Sequence, residues 1–374
     1  MSAATPTSSR FQRFLLPGFA LKAVIIGGGY ATGRELAEFF LPAGPWGGLL
    51  GMLVAMVIWS LVSALTFALA RAWQAFDYVS FFRRLLGPLW PLFEAAWLIF
   101  VVLILAVFGA AAGAIGRALL GLPEAAGTIA LGAAILILTV PGRDSVERFF
   151  RHASTFIYAT YALFFVAVFL RLREEIADGL AAEPGIAGGW LEGGFTYSAY
   201  NLVGAVVILP VLRHLTSARD AVIAGTLAGP LAMLPAILFF LAMLAFLPDI
   251  ATATLPSDMI LRTLAVPGLM LLFQTMVFVA LVESGVGALH ALYARSTAAA
   301  LARNRAPPGA WARILSGAAL LAFCMFVADA VGLVDLVARG YRFLAALFLA
   351  VYLVPLLTVG LWRLARPANC VETC

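Results

Sequence analysis

Apolar stretches of about twenty residues, each long enough as a helix to cross a ~30 Å hydrocarbon core, recur along almost the whole chain. That pattern leaves little choice of solvent. In lipid every backbone N–H and C=O must be satisfied within the protein, so only helices and closed barrels span, and unbroken runs of this length are helical. Composition agrees: 63% of the 374 residues are hydrophobic and 11% are charged, against roughly a quarter charged in soluble domains.

The polar breaks between runs predict an all-α polytopic protein of ten helices. The first five are α1 Leu15–Phe40, α2 Trp46–Ala70, α3 Leu89–Leu119, α4 Ala125–Val140 and α5 Phe149–Leu170. The second five are α6 Gly194–Leu212, α7 Ala221–Leu247, α8 Gly268–Tyr293, α9 Ile314–Leu333 and α10 Leu336–Leu361. Residues 1–374 read as a single transmembrane domain, with a first repeat over 14–170, a second over 193–362 and a tail over 363–374. Met1–Arg13 is polar and the run after it has no small-residue cleavage site, so no cleaved signal peptide is expected. Between α2 and α3, Arg71–Pro91 mixes aromatics with arginines and predicts an amphipathic helix along the interface.

Orientation is read from basic residues, which are retained on the cytoplasmic side. Placing both termini in the cytoplasm puts sixteen arginines on that side. Seven fall on the other: Arg34, Arg117, Arg171, Arg173, Arg262, Arg339 and Arg342. This predicts an inner-membrane protein with an even number of helices and both ends cytoplasmic. The sequence pI near 9.4 does not suggest nucleic acid, because the arginines are scattered between apolar runs.

Several classes are disfavoured. Cys324 lies in a predicted helix and Cys370 and Cys374 in the tail, which suggests neither disulfides nor a zinc site. His152, His214 and His290 are too dispersed for metal ligation. No nucleophilic triad or hydrolytic carboxylate pair stands out, so an enzyme is not expected. Oligomeric state leaves no trace in the sequence.

Five is odd, so the second set of helices crosses in the opposite sense to the first, the arithmetic of an inverted repeat. The first helix of each set also carries an irregular stretch, GGGYATG at Gly27–Gly33 and GGFTYSAYN at Gly193–Asn201. Small residues in membrane helices commonly serve close packing. Three contiguous glycines mirrored in the other half favour instead a broken helix whose backbone faces a solute, which is tolerated at membrane depth only where it lines a cavity or is buried in protein. A dinucleotide fingerprint fails on spacing and on the lack of a preceding strand.

The stretch GGGYATGRELAEFF at Gly27–Phe40, the following GPWGGLLG and the later YSAYN at Tyr197–Asn201 resemble the YkvI-type bacterial membrane proteins. These lie within the amino acid/polyamine/organocation superfamily, which shares the LeuT-type fold. The resemblance implies a five-plus-five inverted repeat with α1 and α6 unwound around a solute. It implies substrate positions at Gly27, Gly28, Gly29, Tyr30 and Thr32 on α1, and at Tyr197, Tyr200 and Asn201 on α6.

Many relatives with this fold place sodium between α1 and hydroxyl residues of α8. This chain departs from that pattern, with Lys22 on α1 and Glu283 and Ser284 on α8. Ionisable residues at membrane depth are functional hypotheses by default. Lys22 paired with Glu283 would stand in for sodium and suggest proton coupling or sodium-independent exchange, while Ser284 can supply an oxygen to an ion. The bland alternative has Lys22 snorkelling to the interface. Arg34 and Glu35 fall at the outer end of α1, where Arg34 is placed to form an external gate with Asp335.

The expected function is a secondary transporter of a small polar or zwitterionic organic solute, an amino acid or amine by resemblance, working by alternating access. No cofactor is expected beyond H+ or Na+ as coupling ion, and the expected partners are the solute and the lipid bilayer. The alternative is a membrane sensor or assembly subunit that keeps the fold; a passive channel ranks third.

Overall fold

The computed structural model describes residues 9–25, 28–141, 143–182 and 185–365. Gly27 and the tail cysteines Cys370 and Cys374 lie outside them. Among the described residues seven stretches are continuous and apolar enough to span a bilayer. They account for α2 (Gly44–Trp73), α3 (Trp90–Leu120), α5 (Arg143–Arg171), α7 (Ala218–Leu244), α8 (Leu269–Ala302), α9 (Ala310–Val331) and α10 (Leu333 to Ala365).

The other three expected helices are present but not as single long spans. α4, Glu124–Thr139, has 16 residues and is about 24 Å long at 1.5 Å per residue. α1 and α6 are interrupted, as the glycine-rich stretches imply. α1 is helical over Leu16–Ile25, over Gly28–Thr32 and, after a turn at Gly33, over Arg34–Phe39, and residues 26–27 lie outside the described residues. α6 runs Trp190–Asn201, then Val203–Val207, before a 3-10 turn over Leu209–His214. Its break is tight: the Leu202 N–H bonds to the Ala199 carbonyl at 3.3 Å, and Ala205 to Leu202 at 3.1 Å.

Polar side-chain contacts sort the loops onto two faces. On one, Arg13 pairs with Asp220 at 2.6 Å, Arg71 donates to the Thr216 carbonyl at 2.7 Å and Arg363 to the Arg84 carbonyl. On the other, Arg117 pairs with Glu124 at 3.1 Å, Arg262 reaches the Ala118 carbonyl at 3.3 Å and Arg171 the Leu264 carbonyl at 2.5 Å. This is the division made by the arginine count. Tyr78–Leu86 forms the expected amphipathic helix on the Arg13 face, burying Phe81, Phe82 and Leu85 and exposing Arg83 and Arg84.

Small residues bring the central helices into backbone contact. Along α7, Ala221, Ala224, Ala228, Ala232 and Ala236 are all fully buried, and this three-to-four-residue spacing keeps them on one side of the helix. Between them, a Cβ on Gly225 would lie 2.3 Å from the Ala64 Cα, and one on Gly229 2.3 Å from the Met56 carbonyl oxygen, both on α2. The other face of α2 meets α6 in the same way, since a Cβ on Gly194 would lie 2.3 Å from the Gly51 carbonyl oxygen. Lipid tails give helices no hydrophobic reason to associate, so close approach and dispersion carry this packing.

Candidate functional site

Among the described residues, α1 is interrupted at the end of its glycine-rich stretch. Gly33 adopts φ +82, a left-handed conformation that costs a residue with a Cβ roughly 1–2 kcal/mol. There is no room for one either, because a Cβ would sit 2.6 Å from Phe239 Cε1. The turn re-aims Arg34–Phe39 so that Glu35 faces back toward the start of the short preceding piece. Its carboxyl accepts a hydrogen bond from the Tyr200 hydroxyl at 2.6 Å and lies near the Tyr341 hydroxyl and the Tyr30 backbone N–H. Tyr341 opens an α-helical stretch directly after the π-helical turn Leu336–Gly340 in α10, and its ring stacks on Tyr200 with centroids 4.3 Å apart.

This carboxyl borders a cavity of about 330 Å³ where the breaks of α1 and α6 meet α3, α5, α8 and α10. Its polar lining is Glu35, Ser154, Tyr200, Asn201, Glu283 and Ser284, together with Tyr341. Trp97, Phe100, Phe108 and Phe150 supply aromatic walls. Glu283 accepts from the Ser154 hydroxyl at 3.0 Å, and Asn201 donates to the Tyr197 carbonyl at 3.0 Å. Apolar walls with a few convergent polar groups are the usual make-up of a small-molecule site.

The cavity is sealed toward one face and adjoins a vestibule toward the other. On the far face Arg34, with its side chain 5% exposed, pairs with Glu38 at 3.1 Å, and Glu38 also holds Arg342 at 3.1 Å. Arg34 further donates to the carbonyls of Ala251 and Ala253 at 3.0 and 3.1 Å. Below this cluster Phe39, Phe40, Trp59 and Tyr197 are packed and buried, with Phe40 and Tyr197 centroids 4.9 Å apart. Toward the Arg13 face, Trp97, Val207 and Ala291 separate the cavity from a second one of about 620 Å³. There Arg295 lies over the Trp97 ring at 3.4 Å and the Tyr78 ring at 4.1 Å and pairs with Glu94 at 3.1 Å.

The expected site residues divide accordingly. Tyr200, Asn201, Glu283 and Ser284 line the cavity, whereas Tyr30, Thr32 and Tyr197 stand behind it, fully buried. Gly28 and Gly29 open the short middle piece of α1.

Two expected pairings are corrected. Among the described residues no ion pair joins Lys22 to Glu283: the Lys22 ammonium instead lies over the Tyr158 ring, 4.1 Å from its centroid, and Glu283 bonds Ser154. Arg34 does not meet Asp335, because the Gly33 turn directs it to Glu38 and the 251–253 carbonyls, while Asp335 pairs with Arg339 one helical turn away. Glu35, Ser154, Tyr341 and Trp97 are the contributors that pattern reading missed. Glu35 carried a usable signal, being an acidic residue two positions after a glycine-rich break in an apolar run.

No family model matches the chain. It is 25% identical over 285 residues to the uncharacterized membrane protein YkvI of Bacillus subtilis (strain 168), covering 73% of this chain and 78% of YkvI. Among solved structures it resembles a Na+-coupled sialic acid symporter in its substrate-bound outward-open state, with TM-score 0.64, 12% identity and 94% and 82% of the two chains covered. It also resembles MhsT in complex with L-phenylalanine, with TM-score 0.60, 14% identity and 96% and 97% covered. A third is Mhp1, a nucleobase-cation-symport-1 family transporter, with TM-score 0.58, 15% identity and 92% and 78% covered. Identities this low speak to the fold alone. The broken α1 and α6, the cavity between them and these likenesses agree: the chain is a homologue of YkvI built on the LeuT-type fold.

Proposed function

We propose that this protein is a secondary transporter that carries a small polar organic solute through the central cavity by alternating access, in a bacterial inner membrane with both termini cytoplasmic. The observation that carries the reading is a largely apolar cavity with a few convergent polar groups, set at two helix breaks, sealed toward one face and adjoining a vestibule toward the other. A broken helix at membrane depth is the place where solutes bind in transporters built from inverted repeats. The sialic acid symporter, MhsT and Mhp1 likenesses support the class, while the site residues come from this chain. The sixteen-to-seven division of arginines supports the orientation.

The experiment is counterflow in proteoliposomes loaded with unlabelled amines, amino acids or nucleobases, with sodium or potassium outside. Saturable accumulation of label driven by the trans solute is expected for at least one class. Solute binding without flux would instead favour a sensor, and flux that does not saturate a channel.

A further inference from the structure

We infer that the solute carried in this cavity is an organic amine without a carboxylate, its ammonium group held by Glu35. The inference rests on the reading of the cavity as the solute site and goes beyond it by naming the chemical class. Two carboxyls, Glu35 and Glu283, reach the cavity, and among the described residues no lysine, arginine or histidine lines it. The remaining wall combines aliphatic side chains with rings, Trp97, Phe100 and Tyr341 among them, and an ammonium is attracted to ring faces as well as to carboxylates.

The surroundings of Glu35 sharpen this. The Tyr200 hydroxyl already donates to its carboxyl at 2.6 Å, and the Tyr341 hydroxyl and the Tyr30 N–H lie nearby. The buried hydroxyls of Tyr30, Tyr161 and Tyr197 have no hydrogen-bond partner among the described protein atoms. Of the hydroxyls that line the cavity, those of Tyr200 and Ser154 are thus already taken by the protein's own carboxyls, Glu35 and Glu283. An amino acid would have to place its carboxylate beside Glu35, where like charges repel and the local dielectric is low. An amine brings only the complementary charge, and charge-assisted hydrogen bonds are the strong ones.

The test compares matched solutes on the purified full-length protein by thermal shift, since a ligand that prefers the folded state raises its melting temperature. The probes are phenethylamine, phenylalanine and 3-phenylpropionate, then agmatine and arginine, each in potassium chloride, with sodium chloride alone as a further arm. Phenethylamine and agmatine are expected to raise the melting temperature, and their carboxylate-bearing counterparts to leave it unmoved. Glu35→Gln is expected to weaken phenethylamine about tenfold or more, and the wild-type comparison stands without it if the variant fails to fold.

Equal stabilisation by phenylalanine or arginine, stabilisation by sodium with the amines inert, or no response to amines would each overturn the inference. Counterflow separates the two claims. Counterflow of phenylalanine but not phenethylamine keeps the carrier and removes the amine, whereas amine binding without counterflow keeps the amine and removes the carrier.

Discussion

Gly33 decides where Glu35 points. Its left-handed φ and the absence of space beside Phe239 and Pro256 make Gly33→Ala costly twice over, by backbone strain and by overpacking. Together these predict a loss of about 2–4 kcal/mol, read as a lower unfolding midpoint in detergent. Wild-type stability would mean that the turn relaxes and that Glu35 is not fixed by it. The same residue explains the limit of sequence reading here. Helical periodicity carried through Gly33 puts Arg34 and Glu35 at the outer end of one helix, whereas a single αL residue sends Arg34 to the far-face seal and Glu35 to the cavity. Tyr200 and Asn201 were legible because their irregular stretch lies on a predicted membrane helix; Tyr341 was not, because it sits in an ordinary apolar run and reaches Glu35 just after a π-helical turn that no sequence pattern announces.

Elements were the most legible level, because a membrane helix announces itself by length and apolarity. All ten predicted helices are present, and the three that do not qualify as long continuous spans have physical reasons, two being broken and one short. What glycine clusters mean was only partly legible. Gly33, at the end of GGGYATG, marks an interruption of α1, while the glycines in GPWGGLLG serve close packing: a Cβ on Gly48 would lie 2.3 Å from Phe240 and one on Gly51 2.8 Å from the Trp190 carbonyl oxygen. Sequence alone does not separate these uses, since both need a missing side chain. At the α2–α7 crossing, Gly225→Ala places a methyl against the Ala64 backbone and is expected to cost about 1–3 kcal/mol. Thermal unfolding of the purified variant checks this, and an unchanged midpoint would show that the two helices can part without loss.

At the scale of the molecule, the structure is closed toward one face by Arg34, Glu38 and Arg342 and faces the other through the vestibule beside Arg295. Alternating access requires the far-face cluster to part in another state. Breaking it should shift the population, because any contact made in one state alone biases the equilibrium by its own free energy. Arg34→Ala is therefore expected to raise thiol labelling of cavity positions from the far face by about tenfold, the equivalent of roughly 1.4 kcal/mol. The central claim is tested most directly by a single cysteine at Ser284 in a background free of Cys324, Cys370 and Cys374, probed with an impermeant thiol reagent in vesicles of each orientation. The account predicts labelling from both faces, with any solute that supports counterflow changing the two rates in opposite directions. Labelling from the Arg13 face alone, under every solute condition, would contradict it.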